Sequence, residues 1–350
     1  MCGKYVAYVG SYTRKKARGI TIYDVDAEKG RMKFRREVAI TNPSYLKIDP
    51  HRRVLYSIED AGITAFKILD NGDIERINTV GINGMRGCFI DVDSSGEYVY
   101  VAGYHDGKIT MLSLTEYGGI SRITDEVYLK GLGKPYEENY RPHVSCCKLT
   151  PFEKYLCVAD LSVDNYKVYA INREYGKLTQ VSLIPCELKS DPREIVFSQT
   201  GRFAYTVCTR NKQIEAFEYQ SEDKAPVFRS IQKLQLLGKG MSVHSAPYAL
   251  TRSHDGTFLV ASIVEDNSVS FINRDKETGR MSFDFNLPIS GDFPKDIQLF
   301  PNDRFLASVN HDSHQVTLFK VDREKKTLTM TQRPVDVEYP NCIRFCSVKE

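Results

Sequence analysis

Hydrophobic and polar positions alternate in short runs along almost the whole chain, and polar turns separate the runs. That period of two predicts β-strands, with successive side chains on opposite faces. The helical spacing i, i+3, i+4, i+7 is missing over any long window, which argues against helical solenoids and βαβ folds. Six segments share one shape: "YLKIDPHRRVLYSIED", "FIDVDSSGEYVYVAGY", "SCCKLTPFEKYLCVAD", "EIVFSQTGRFAYTVCT", "ALTRSHDGTFLVASIV" and "IQLFPNDRFLASVNHD". Each is an apolar stretch, a polar turn and a second apolar stretch, the signature of a β-hairpin. After each comes a β-branched or aromatic strand such as "GKITMLSL" or "QVTLFKVD", a charged turn and a fourth strand such as "GRMSFDFNL".

Four strands per unit, recurring at roughly 40 to 50 residues, predict a β-propeller with antiparallel sheets. The ends supply one further unit. "YVAYVGSYT", "RGITIYDVD" and "GRMKFRREVAI" read as its second, third and fourth strands, and "YPNCIRFC" as its first. The expectation is an all-β, seven-bladed propeller filling residues 1–350 as one domain, its ring closed when the C-terminal strand joins the N-terminal blade.

Composition narrows the function classes. The 350 residues are 41% hydrophobic with a net charge of +3, enough for a large core. The 48 basic and 45 acidic side chains are interspersed, without the basic arm expected of a nucleic-acid partner. No stretch has the eighteen or so consecutive apolar residues that span a bilayer, and the N-terminus lacks a signal-peptide pattern. A cytoplasmic protein with no membrane partner is expected. The nine cysteines sit mostly inside apolar runs such as "KYLCVAD". They read as reduced, buried residues, with Cys146 and Cys147 on opposite faces of one strand.

In an antiparallel hairpin the start of the first strand and the end of the second share one end. Applied to every unit, this gathers His105, His143, His244, His311 and His314 on one face and leaves His51 and His254 in the opposite turns. Tyr12, Arg14, Glu59, Arg86, Tyr104, Arg141, Asp160, Arg193, Glu265 and Lys295 fall on the same face as the five histidines. Imidazoles beside carboxylates and arginines suit acid/base chemistry on a polar or anionic small molecule. Strand ends are polar in any propeller, so part of this enrichment needs no function. His143 follows a proline that fixes the strand start, and Arg193 holds the matching place one unit later, where paired N–H groups can hold an oxyanion. A neighbour-bonded histidine and an ion pair from Arg193 to Asp191 or Glu194 are the structural alternatives.

"YVGSYT", "NPSYLKIDPHRRVLYSIED", "RPHVS" followed by "VADLSVDNYKVYAI", "DPREIVFSQTGRFAY" and "YPNCIRF" together resemble the lactonase family of seven-bladed propellers. That family includes 6-phosphogluconolactonases and 3-carboxy-cis,cis-muconate lactonizing enzymes. The resemblance runs in order through essentially the whole chain. It implies a hydrolase that needs no cofactor and opens a lactone or a related cyclic carbonyl compound such as a cyclic β-diketone. It assigns His143 and Arg193 to the family's Pro-His and Pro-Arg positions, and matches Glu59 and Tyr104. The pattern breaks at three places. Thr209 stands where the family has a glutamate, Val264 where it has a second arginine, and Ser145 where a second histidine is common. Arg210 and Glu265 lie one residue beyond the first two positions.

Three readings follow. In the first, His143 activates water, Arg193 and Arg141 hold the oxyanion and Glu59 or Asp160 orients the base, with Tyr12, Tyr104, His105, His244 and His311 contacting substrate. In the second, a divalent metal held by His105, His143, His244 and His311 assists ring opening. In the third, the altered positions mark a catalytically degenerate propeller that binds a ligand or a protein partner.

Overall fold

The computed structural model describes residues 4–131, 142–221, 225–236, 242 and 244–349. It contains seven sheets, each a run of four antiparallel strands in hydrogen-bonded order. Taken as first to fourth strand, the Phe89–Val92 sheet continues through Tyr98–Gly103, Lys108–Leu114 and Ile120–Tyr128. The next runs Val144–Leu149, Tyr155–Asp160, Asn165–Asn172 and Lys177–Pro185, and the one after it Pro192–Phe197, Phe203–Cys208, Gln213–Ser221 and Pro226–Gln235. The first hairpin of each corresponds to a segment picked out by alternation in the sequence. In the sheet that opens with Pro294–Leu299, the short Val335–Asp336 strand adds a fifth member by pairing with Gln315–Asp322.

Pro340–Ser347 pairs with Tyr5–Ser11, which continues to Gly19–Asp26 and Arg31–Ala39. One sheet is therefore built from both chain ends, as the sequence predicts. By compactness the chain divides into two units. The first comprises Met1–Leu46, Ile68–Glu75 and Leu234–Glu350, the second Lys47–Lys67 and Arg76–Lys233.

Within each unit the sheets pack through their first strands, and a carboxylate staples neighbouring sheets. In the second unit Asp91 is buried on the first strand of its sheet. It accepts the amide of Leu149 at 3.0 Å and pairs with Lys47 at 2.6 Å. Burial alone would raise its pKa, but Lys148, Lys47 and the Leu149 amide together bring it down to about 2. In the first unit Asp296 does the same work, accepting the amide of Ile343 at 3.0 Å and the guanidinium of Arg344. Strand-to-turn contacts repeat as well. Tyr56 donates its hydroxyl to the carbonyl of Gly118 at 2.9 Å, and Gly118 has φ +79 with the side chain of Val54 where its Cβ would be. Glycine is needed there for both the left-handed backbone and the close approach.

Cys146 and Cys147 are both fully buried and do face opposite ways. Cys147 Sγ lies 3.5 Å from the carbonyl of Tyr100 in the preceding sheet, while Cys146 meets the backbone of Ile195 in the following one. Burial pushes both thiols well above the ordinary range, so neither supplies a thiolate near neutral pH. The "TPFEK" turn between their strand and the next takes positive φ at Phe152 and Glu153. No helix among the described residues is long and apolar enough to cross a membrane.

Candidate active site

The first strands open with an irregularity that simple alternation does not reveal. Between the pairs Pro192↔Cys208 and Glu194↔Val207, one extra residue, Arg193, has no cross-strand partner. The same one-residue bulge leaves out Ser145 between Val144↔Asp160 and Cys146↔Ala159. It leaves out Lys295 between Pro294↔Asn310 and Asp296↔Val309, and Asn341 between Pro340↔Ser11 and Cys342↔Gly10. In the Ala246–Arg252 strand, Tyr248 and Ala249 together oppose a single residue, Ser262. A bulge bends the strand and re-aims one side chain out of the pleat. The residues so treated are an arginine, a lysine, a serine, an asparagine and a tyrosine, all polar at the tip.

In the second unit the bulges at Ser145 and Arg193 fall on neighbouring first strands, and His143 stands two residues before the first of them. His143 immediately precedes the Val144–Leu149 strand, and its carbonyl accepts the amide of Leu161 at 3.1 Å, closing the mouth of the hairpin. Two residues on, the Ser145 hydroxyl donates to the carbonyl of Arg193 at 2.8 Å. The main chain that carries the guanidinium is thereby pinned to the strand that carries the imidazole. The His143 ring stacks on Tyr104 with centroids 4.6 Å apart and planes within 6°. Tyr104 also meets the ring of His105 edge-on at 5.3 Å, and His105 is exposed. Tyr104, His105 and His143 thus form one partly exposed ring cluster, and the main chain of Arg193 is bonded to the strand that His143 precedes.

Other predicted site residues in this unit lie elsewhere or are already engaged. Asp160 is fully buried and paired with Lys167 at 2.8 Å, and it also accepts the amide of Ser162. Lys167 in turn donates to the carbonyl of Lys130. Asp160 is a structural ion-pair partner and does not orient His143. Glu59 is buried beside Arg76, with 3.8 Å between charged atoms. Asp191, one alternative partner for Arg193, is bound by Arg210 at 2.9 Å. Arg141 falls outside the described residues.

In the first unit a second cluster surrounds His311. Its ring meets Tyr12 edge-on at 5.6 Å, and Phe293 and Tyr339 at 6.3 and 5.7 Å. Lys295 reaches over the Tyr12 ring at 4.7 Å and donates to Asn341 Oδ1 at 2.6 Å. Nδ1 of His311 lies 3.0 Å from the carbonyl of Pro340. Burial, Lys295 and His314 hold the His311 imidazole below its ordinary pKa, outweighing Pro340 and Asp312. His244 is exposed, its amide bonded to Ser242, and has no described contact with this cluster. The metal reading needs three or more of the named histidines together; among the described residues no three His, Cys, Asp or Glu side chains gather in that way.

Residues 6–345 match the family model described as lactonase, 7-bladed beta-propeller. The chain belongs to the lactonase family of seven-bladed β-propellers. The seven four-stranded sheets are its blades. A 6-phosphogluconolactonase of Bacillus subtilis is 29% identical over 98% of both chains. The solved periplasmic gluconolactonase of Pseudomonas aeruginosa is 25% identical with a TM-score of 0.91 over 99% of both chains. A protein of known structure from Lactobacillus plantarum is 28% identical with a TM-score of 0.88, covering 98% of this chain and 99% of that one.

Against the lactonase pattern, the altered positions behave as ordinary packing residues. Val264 is buried at the end of its strand, paired with Ala246. The Thr209 amide donates to Asp191, and its hydroxyl is buried with no hydrogen-bond partner among the described residues. Arg210 is spent on Asp191, and the exposed Glu265 adopts φ 66. Neither restores the missing glutamate or arginine by a register slip. Ser145, a departure from the family at the sequence level, gains a role as the link to Arg193.

The sequence reading missed the bulges, the Tyr104–His143 stack, and the Lys295–Asn341 and Ser145–Arg193 bonds. One signal was visible. Pro192, Pro294 and Pro340 each directly precede the bulged residue, and Pro247 precedes the irregular pair. A proline at the first residue of a strand with a polar side chain after it marks these positions.

Proposed function

We propose that the protein is a hydrolase that opens the ring of a sugar lactone, with His143 and Arg193 as the catalytic pair. The single observation that carries this reading is the bond from Ser145 to the carbonyl of Arg193, which fixes the guanidinium's backbone beside the strand start bearing His143. The names of the relatives favour a lactone over a cyclic β-diketone, and the family assignment favours an enzyme over a degenerate binding module.

The reaction follows from the two groups. His143 takes a proton from water as the water oxygen attacks the lactone carbonyl carbon. The carbonyl π electrons move onto oxygen, and Arg193 donates N–H bonds to that oxyanion. Collapse re-forms the carbonyl and breaks the ring C–O bond, and the imidazolium returns its proton to the departing alkoxide. The product is an open-chain hydroxy acid. Tyr104, stacked on His143, holds the imidazole plane. Glu59, tied to Arg76, contributes charge to its own blade and no direct proton transfer.

The test is acid release from glucono-δ-lactone and its 6-phosphate by the full chain and by His143→Ala and Arg193→Ala, corrected for spontaneous hydrolysis. Each substitution should lower kcat/KM by about 100-fold or more with the melting temperature kept. Turnover insensitive to both would remove this site from the reaction.

A further inference from the structure

The first-unit cluster contains a feature that ring opening by His143 and Arg193 does not use. Backbone groups of adjacent residues set the proton positions of two histidines. The carbonyl of Pro340 can only accept, so His311 Nδ1 carries the hydrogen and Nε2 is left with its lone pair. The amide of Tyr339 donates to His314 Nδ1 at 3.2 Å, so a neutral His314 carries its hydrogen on Nε2. The chain thus makes His311 an acceptor and His314 a donor, and neither ring can change tautomer without losing its backbone bond.

Beside His311 stands a fixed cation. Lys295 is the bulge residue of its strand, and its ammonium is held by Asn341, which is 3% exposed. Lys295 and His311 share the Tyr12 ring as a platform, at 4.7 and 5.6 Å from its centroid. Arg14 lies 5.7 Å from both the Tyr12 and Tyr339 ring centroids, and Lys15 5.2 Å from that of Tyr339. The charged and titratable groups acting on His311 are Lys295 and His314, which lower its pKa, and Asp312, which raises it. Their effect, with burial, keeps the imidazole neutral and its lone pair available near pH 7.

We propose that Lys295, His311 and the rings of Tyr12 and Tyr339 form a binding site for an open-chain hydroxy acid, with the carboxylate on Lys295 and a ligand hydroxyl donating to His311 Nε2. A bare oxyanion does not satisfy this arrangement. Its oxygens only accept, and a neutral imidazole lone pair facing them is repulsive. A hydroxyl on the same molecule as the carboxylate satisfies both groups. The flanking aromatic rings cover the C–H faces of a polyol backbone, in keeping with an apolar lining and a few placed polar groups. The site stands independently of lactone hydrolysis, because it is defined by binding and requires no turnover.

The test is an NMR titration of the imidazole ring protons of the full-length protein, with the His311 signals identified by loss in His311→Phe. Sodium gluconate and sodium sulfate, an oxyanion without a hydroxyl, are the two probes. Gluconate should shift the His311 signals saturably. Lys295→Met should weaken gluconate binding at least tenfold, about 1.4 kcal/mol. Sulfate at equal concentration should bind at least tenfold more weakly than gluconate. His311 signals unmoved by gluconate, or unchanged affinity in Lys295→Met, would overturn the proposal. Sulfate binding as tight as gluconate would overturn it too, since no hydroxyl would then be recognised. Should His311→Phe fail to fold, Lys295→Met carries the test alone. Loss of turnover in His143→Ala with gluconate binding intact separates this proposal from the catalytic one.

Discussion

Two strand starts, Pro192–Glu194 and Pro294–Asp296, carry the same one-residue bulge, but one presents a guanidinium and the other an ammonium. They are also held differently. A neighbouring hydroxyl fixes Arg193 through its carbonyl, which leaves the position of its fork to what surrounds it. Asn341 fixes Lys295 at the tip of the side chain itself. The histidines differ in parallel. His143 stacks on a tyrosine with its planes nearly aligned, whereas His311 sits among rings turned edgewise or tilted, with one nitrogen committed to a backbone carbonyl. A recurring backbone device can therefore present different side chains, because the occupant of the bulge and the atom that holds it vary independently.

The comparison is broken most severely by removing Arg193, the cation proposed to hold the oxyanion. Arg193→Ala should reduce kcat/KM on a lactone by about 10³-fold, and Arg193→Lys should recover only part of this, since one ammonium cannot reproduce a planar fork. Steady-state rates at matched melting temperature are the readout. Full recovery by lysine would mean that a point charge suffices and that the two bulges are chemically equivalent.

Next come the carboxylates that both regions share as staples. Asp91→Asn leaves Lys47 and Lys148 facing a neutral amide in a buried position. It should cost about 3 kcal/mol in chemical denaturation, as breaking a buried ion pair does. Asp296→Asn, with Arg344 and the Ile343 amide, should cost a similar amount. With its pKa brought down to about 2, Asp91 contributes stability that is present above the usual carboxylate value and lost as pH falls through about 2.

Much of this layout was legible from the chain alone, and the reasons are specific. The hairpins and the sheet shared by both ends follow from alternation and repetition, which depend on near neighbours in sequence. His143 and Arg193, the pair proposed for catalysis, each follow a proline at or beside a strand start, a signal the chain itself carries. Asp160 was misread because its partner, Lys167, lies on the adjacent strand, and its reach depends on pairing that spacing does not state. The tautomer of His311 depends on Pro340, 29 residues away across two strands. Lys295 could be read as a strand-start residue, but its partner Asn341 looks in sequence like an ordinary strand-start residue, and their bond is not stated by spacing.

A smaller effect tests how Arg193 is held. Ser145→Ala removes one hydrogen bond, worth about 1 kcal/mol, from the link between neighbouring strands. Lactone turnover should fall about fivefold through kcat, with KM little changed, since the guanidinium is displaced and not lost. Ser145→Thr keeps the hydroxyl and should restore most of the rate. A merely structural role would lower the melting temperature without this rescue of kcat.

The finest difference lies in proton affinity. His311 is held below the ordinary imidazole pKa, so the unfolded chain binds that proton more tightly than the folded one. Its contribution therefore costs stability as pH falls below about 6.5 and has no such cost at higher pH. His254 provides the internal opposite. Its bond to Asp303 raises its pKa, so its stabilisation is full below the usual value and is lost as pH rises through the folded one. Lys295→Met should move the His311 titration upward by a fraction of a pH unit and leave His254 in place, as read from their ring-proton shifts. An unmoved His311 would leave burial and His314 as the dominant causes, and would show that holding a cation by its tip in this region does not tune the base beside it.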